Sequence, residues 1–301
     1  MSRLARYLRL TVAATTAIAA LAAPLAATAT SGRRLPPVNP EQRFDLPPDD
    51  CLEPAPAAID IKGVTDDNRT VKLDVKVPID VEEGAEIAEL LADADPIVVA
   101  EGQARFDALA QKVHGILDAA ITTYAPLGIE LRLHYDLLMP LVNGEPRQRT
   151  TDIDELILVA KQNYGGRVPA GFDAVYAVTD IDVSGTIAGK ADCIGGVRAT
   201  DSSFAAGEID LEEVPLNFLG VTMFQDMSAK ILAHEVGHLL GAHHHYANCA
   251  EGVPTETIPD ALSACTLMIN DIGLASLNFS TLNGAIVRGH AVDYASQNDG
   301  G

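Results

Sequence analysis

Three histidines and a glutamate share one short stretch of the chain, His234-Glu235-Val236-Gly237-His238-Leu239-Leu240-Gly241-Ala242-His243-His244. On a helix, residues four apart lie on the same face, so His234 and His238 can direct imidazole nitrogens at one metal ion. Glu235 then lies beside that ion, where a general base for a water molecule is needed. Gly241 permits the left-handed conformation that ends helices, and the chain can return His244 as a third ligand. Three protein ligands with one open position indicate a catalytic zinc ion, because structural zinc normally has four protein ligands.

Two other interpretations of this stretch stay open at the level of sequence. In the first, the third ligand is a distant glutamate, such as Glu251 or Glu256, and replacing His244 spares the metal. In the second, the chain is a zinc-binding protein that keeps the helix of an enzyme but has lost turnover. The intact Glu235 argues against the second interpretation, because a site without chemistry has little use for that carboxylate.

The pattern H-E-x-x-H-x-x-G-x-x-H resembles the signature of the metzincin zinc endopeptidases, which continues into a downstream Met-turn. Met268 stands where that turn is expected, and the resemblance implies that its thioether packs under the histidine ligands. A lone methionine is otherwise ordinary core filler. The stretches FDAVYAVTDIDVSG and TIAGKADCIGGVRA resemble the reprolysin-like branch, in which a cysteine-bearing strand forms the edge of the cleft. The chain departs from reprolysins at His245, where they have aspartate.

The resemblance implies a function and a partner. It predicts a monomeric endopeptidase with one Zn²⁺, whose extended peptide or protein substrate adds to the edge strand through main-chain hydrogen bonds. The net charge of −21 and the pI near 4.6 make nucleic acid and anionic membrane surfaces poor partners. Asp180-Ile181-Asp182-Val183-Ser184-Gly185 is an acidic stretch that is typical of a turn. Calcium binding there is possible but has no sequence support.

The N-terminus has the features of a secretory signal over residues 1–29. Arg3, Arg6 and Arg9 precede an apolar run over 10–27, and Ala27-Thr28-Ala29 offers a cleavage site. The alternative is an uncleaved membrane anchor, since the run is marginally long enough to span a bilayer. Pro24 disfavours that alternative. We therefore expect a secreted protein without stable membrane association after cleavage, beginning with an extended arm or short pro-segment over 30–56.

Export places the four cysteines in an oxidising compartment. Cys249 and Cys265 flank a short loop, so their pairing closes the smallest ring, and it leaves Cys51 to pair with Cys193. An alternative for Cys51 is a thiolate on the zinc ion of a latent form, although its acidic neighbours do not match the known switch motif.

Hydrophobic periodicity predicts an α/β domain over 57–295. Alternation from Val71 to Val77 and from Ile129 to Tyr135 predicts two half-buried strands, and an apolar run over 173–179 predicts a third. Helical spacing over 101–124 and 152–164 predicts helices between them. The order of elements favours a mixed, mostly parallel twisted sheet.

The active-site helix is predicted from about Ser228 to Leu240. It ends an upper subdomain at about residue 240, and a smaller irregular lower subdomain follows it. A closing helix after Asn278 ends near Gly289, and the tail over 296–301 is frayed.

Overall fold

The computed structural model describes residues 69–139, 141–184, 187–210, 216–218, 221–223, 227–244, 266–269 and 276–295. The predicted signal, the arm and the tail lie outside these residues, and so does residue 57, the predicted start of the domain. None of the helices in the described ranges combines the length and apolarity needed to cross a membrane.

A five-stranded sheet forms the centre of the fold, in the spatial order β2-β1-β5-β7-β6. Its strands are β1 (Val71–Asp80), β2 (Ile129–Leu137), β5 (Ala174–Thr179), β6 (Gly189–Ala191) and β7 (Phe204–Glu208). The strands β2, β1, β5 and β7 run parallel to one another, and only β6 at the edge is antiparallel to its neighbour. The predicted α/β class with a mostly parallel sheet is confirmed. Two short antiparallel pairs of strands are separate from this sheet: β3 (Leu141–Val142) with β4 (Glu145–Pro146), and β8 (Leu216–Phe218) with β9 (Val221–Met223).

Five helices belong to the described residues: α1 (Gly84–Leu91), α2 (Pro96–Tyr124), α3 (Ile153–Asn163), α4 (Met227–Leu239) and α5 (Thr281–Tyr294). Side chains cap several of them. Asp95 and Asp152 accept backbone N–H groups at the starts of α2 and α3, and Ser280 does the same for α5.

Apolar side chains cover both faces of the sheet. On β5, Tyr176 and Val178 pack with residues of α2, α4 and α5, whereas Val175 and Ala177 pack with residues of α3. This alternation places the sheet between two helical layers and explains why β5 is buried throughout. The helix α4, which carries His234 and His238, therefore packs on the same face of the sheet as α2 and α5.

Several predicted boundaries need correction. The helix predicted over 101–124 corresponds to α2. It begins at Pro96 rather than at residue 101, because Asp95 caps it and proline is favoured in the first turn. The closing helix continues past Gly289 to Tyr294. Within the described residues 187–199, a strand forms only over Gly189–Ala191, so Cys193 follows the edge strand rather than lying in it, and a 3-10 turn covers Gly196–Arg198. The sequence reading missed β7, whose short Ala- and Gly-containing run carries little β propensity.

Candidate metal centre

The helix α4 holds two of the predicted ligands in a position sheltered from solvent. His234 and Glu235 are each 6% exposed and His238 is 2% exposed. The main core is the apolar cluster between the sheet and the helices α2, α4 and α5. It includes several side chains of α4, among them Ile231 and Leu232. A helix buried on nearly every side has little freedom to rotate, so the histidines project from a fixed support.

The third predicted ligand meets the first two at a single point. The Nε2 atoms of His234 and His238 are 3.0 Å apart, those of His234 and His244 are 3.0 Å apart, and those of His238 and His244 are 3.1 Å apart. Three imidazole nitrogens bound tetrahedrally to one zinc ion at about 2.0–2.1 Å lie about 3.3 Å apart. The triangle therefore has nearly the size that one zinc ion requires, and these three residues form a group able to hold a metal.

The Nδ1 atoms of His234 and His238 show which tautomer these two imidazoles adopt. His234 Nδ1 lies 2.9 Å from the carbonyl oxygen of Leu267, and His238 Nδ1 lies 2.8 Å from that of Ala242. A carbonyl only accepts, so each Nδ1 carries the proton and donates it. The Nε2 lone pairs of both rings are then free to face the common point, the arrangement found around metal-bound histidines.

Burial also favours the neutral imidazoles. Burial and, to a smaller extent, the nearby His244 lower the pKa of His234 to about 4, while the hydrogen bond to the Leu267 carbonyl opposes the shift. Burial likewise lowers the pKa of His244 to about 4 and that of His238 well below its usual range. Three neutral nitrogen donors at neutral pH fit a borderline metal such as Zn²⁺.

Met268 lies in a turn that supports the first ligand. The turn covers 266–269, and Met268 is fully buried. Leu267, which precedes Met268, has a carbonyl that accepts a hydrogen bond from His234 Nδ1. The Leu267 amide donates to the carbonyl oxygen of Asn278 at 2.7 Å. A Cβ added at Gly237 of α4 would come within 3.1 Å of the Met268 sulfur. The methionine therefore packs against α4 at Gly237, between His234 and His238 in the sequence, and its role as a Met-turn stays a prediction.

Glu235, which follows His234 on α4, faces the edge strand β6. Burial raises the pKa of its carboxyl to about 8, while the Ala191 amide and the charge of Lys190 act in the opposite direction. A Cβ on Gly189 would approach the Glu235 carboxyl oxygen to 3.1 Å, so the glycine leaves room for the acid. A carboxyl with a pKa near neutral is suited to accept and return a proton, and a divalent cation beside it would favour its charged form.

Gly241 directs the chain from α4 to the third histidine. Its φ is 86°, its amide donates to His238 O, and the next amide, of Ala242, donates to Gly237 O, each at 2.9 Å. This pair of bonds is the Schellman motif, which glycine permits because it lacks a Cβ. The same turn aims the Ala242 carbonyl at His238, so one backbone feature ends the helix and orients a ligand.

Only some of the remaining predicted residues lie within the described ranges. Cys193 is buried and disulfide-bonded, but Cys51, Cys249 and Cys265 lie outside the described residues, so the pairing stays a prediction. The same holds for Glu251 and Glu256, the alternative third ligands. Within the described ranges, it is His244 that joins the other two histidines. In the acidic stretch, Asp180 forms an ion pair with Arg149.

Sequence reasoning missed the contribution of α5. Asn283 is fully buried and hydrogen-bonded to the backbone of His243. A signal was present, since an asparagine on an otherwise apolar helix face requires a polar partner. The sequence alone did not show that this partner is the turn before His244.

Searches against family models and against curated proteins found no match. Among solved structures, the chain is similar to an archaemetzincin from Methanopyrus kandleri, at 14% identity and a TM-score of 0.36, over 75% of this chain and 98% of that one. It is also similar to a chain in a chaperone-substrate complex, at 17% identity and a TM-score of 0.34, over 60% of this chain but only 27% of that one. Likeness of this degree carries no functional argument, and the site rests on its own geometry.

The turn at Gly241 yields a first prediction. Gly241→Ala adds strain at φ 86° and brings a Cβ within 2.8 Å of the His290 ring, so the variant should lose both stability and zinc affinity. Gly171→Ala is the matched control, because Gly171 has the same φ of 86° but nothing within 4 Å of an added Cβ. Thermal unfolding and zinc titration of both variants measure the difference. Equal zinc affinities would contradict the role of the turn.

The lowered histidine pKa values yield a second prediction. With pKa values near 4, protons compete poorly for the ring nitrogens, so zinc affinity should change less than about fivefold between pH 7 and 5.5. If the three imidazoles had the ordinary pKa of about 6.5, zinc affinity would fall by roughly several hundredfold between pH 7 and 5.5. Competition with a chelator of calibrated pH dependence measures the change. A loss of the larger size would show that the imidazoles are not shielded as described.

Proposed function

We propose that this chain is a secreted zinc-dependent endopeptidase of metzincin type. The observation that carries the proposal is the convergence of three neutral imidazole nitrogens, 3.0–3.1 Å apart, together with a buried glutamate that directly follows the first histidine on the same helix. Three histidine ligands leave a zinc ion one open position, as catalytic sites require. When bound, zinc acts as a Lewis acid that polarises a carbonyl and lowers the pKa of a water molecule.

The residues of the chain divide the remaining work. His234, His238 and His244 hold the ion, and the carbonyls of Leu267 and Ala242 keep the first two rings in the ligating form. The Glu235 carboxylate accepts the proton of the attacking water and passes it to the leaving amine. The buried position of Glu235 keeps this proton away from bulk solvent.

The edge strand supports an extended peptide as the substrate. β6 is the last strand in the order β2-β1-β5-β7-β6, and it runs along the side of α4 on which Glu235 lies. A peptide that adds to this edge places a scissile bond next to the glutamate and the histidines. Lys190 of β6 and Asp192, which follows the strand, form ion pairs with Asp154 and Lys161 of α3 and so join the edge to that helix.

Secretion and a monomeric state belong to the same proposal. Residues 1–29 have the composition of a secretory signal, and the acidic chain disfavours contact with nucleic acid and anionic membranes. Detection of the protein in the culture medium, with an N-terminus near residue 30, tests this part.

Hydrolysis of a mixed-peptide library tests the proposed activity. The purified protein should cut peptides, a chelator should stop it, and added zinc should restore it. Glu235→Gln should keep bound zinc but lower the hydrolysis rate by about 10²–10⁴, because the general base is gone. Glu130→Gln, which changes an exposed carboxylate on β2, should retain full activity.

Two results distinguish this proposal from the alternative of a binding protein without turnover. Chelator-sensitive cleavage that Glu235→Gln lacks supports the peptidase. Tight zinc binding without cleavage by the parent protein, over a library that covers all residue types, counts against it.

A further inference from the structure

The third histidine differs from the other two in how the fold supports it. His234 and His238 project from a buried helix, whereas His244 follows the end of α4, in the segment 241–244 that has no helical support. A ligand beyond a helix end needs another element to fix its backbone, or the ligand geometry varies with the loop.

Asn283 of α5 supplies that support. Its side chain is fully buried, its Oδ1 accepts the His243 amide at 3.2 Å, and its Nδ2 donates to the His243 carbonyl at 2.9 Å. One amide thus bonds both polar backbone atoms of the residue that precedes His244. Of the common side chains, only asparagine and glutamine offer an acceptor and a donor in this arrangement.

The helix that carries Asn283 is itself anchored to the sheet region. Ser280 caps its start by accepting the Asn283 amide at 3.1 Å. One turn beyond Asn283, Val287 belongs to the main core, and Arg288 donates to the carbonyl oxygen of Gly128 at 2.6 Å. Gly128 directly precedes β2, so α5 links the core of the domain to the turn that carries the third ligand.

A second contact from the same face of α5 reaches the same turn. His290 lies seven residues after Asn283, two turns along one face of the helix, and its ring packs against Gly241. Asn283 and His290 therefore contact residues on both sides of Ala242, whose carbonyl orients His238.

We infer that Asn283 is a positioning residue for the metal centre, which fixes His244 through the backbone of His243. This inference rests on the proposed zinc site. Asn283 touches neither the metal nor a substrate, and it acts only by limiting the positions open to the third ligand. Removing such support typically lowers metal affinity about 10–100-fold.

A double-mutant cycle on zinc affinity tests the inference. Zinc dissociation constants are measured by competition with a chromophoric chelator for the parent, Asn283→Ala, His244→Ala and the double variant. We expect Asn283→Ala to weaken binding about 10–100-fold in the parent but less than about twofold once His244 is absent, because its effect passes through that ligand. Asn283→Asp keeps the size and the acceptor but loses the donor, and it should also weaken binding. Circular dichroism confirms that each variant is folded, and if Asn283→Ala is not, the cycle is run with Asn283→Asp.

Leu156→Ala serves as the control for a general loss of stability, because Leu156 is buried in the apolar cluster around α3, on the opposite face of the sheet from α5. It should lower the melting temperature while zinc affinity stays within about twofold of the parent. Equal weakening by Asn283→Ala with and without His244, or unchanged affinity in a folded Asn283→Asp variant, would overturn the inference alone. Failure of the parent protein to bind zinc would instead overturn the proposed function on which it rests.

Discussion

The site depends on the convergence of three imidazole nitrogens at one sheltered point. Their Nε2 atoms lie 3.0–3.1 Å apart, close to the spacing that three ligands of one zinc ion adopt. Burial lowers the pKa of His234 and His244 to about 4, so these rings are neutral at neutral pH. The elements around the site hold the nitrogens at this spacing, which suits a metal ion.

That arrangement draws on parts of the chain far apart in sequence. The helix α4 supplies two ligands, the Met268 turn holds one ring through the Leu267 carbonyl, and α5 holds the approach to the third ligand through Asn283. On the sheet side, the paired glycines of β6 and β7, Gly189 and Gly207, leave room for the side chains of α4. Close approach of helix and sheet is what gives Glu235 its buried position beside the edge strand.

Much of this was predictable from the sequence, and the limits have physical causes. The helix, the ligand triad, Gly241 and the parallel strands follow from local spacing, since periods of 3.6 and 2 residues and a helix-ending glycine act within a few residues. The Asn283 bond to His243 spans 40 residues, so no local pattern encodes it. Strand β7 was missed because its burial comes from its central place between β5 and β6, which topology decides rather than propensity.

The most direct test of the account is X-ray absorption spectroscopy at the zinc edge on the purified, zinc-loaded protein. The account predicts three imidazole nitrogens at about 2.0–2.1 Å and one further oxygen, with no sulfur ligand. In His244→Ala the count of imidazoles should fall to two. A sulfur ligand, a fourth protein ligand, or an unchanged spectrum in His244→Ala would contradict the three-histidine site with an open position.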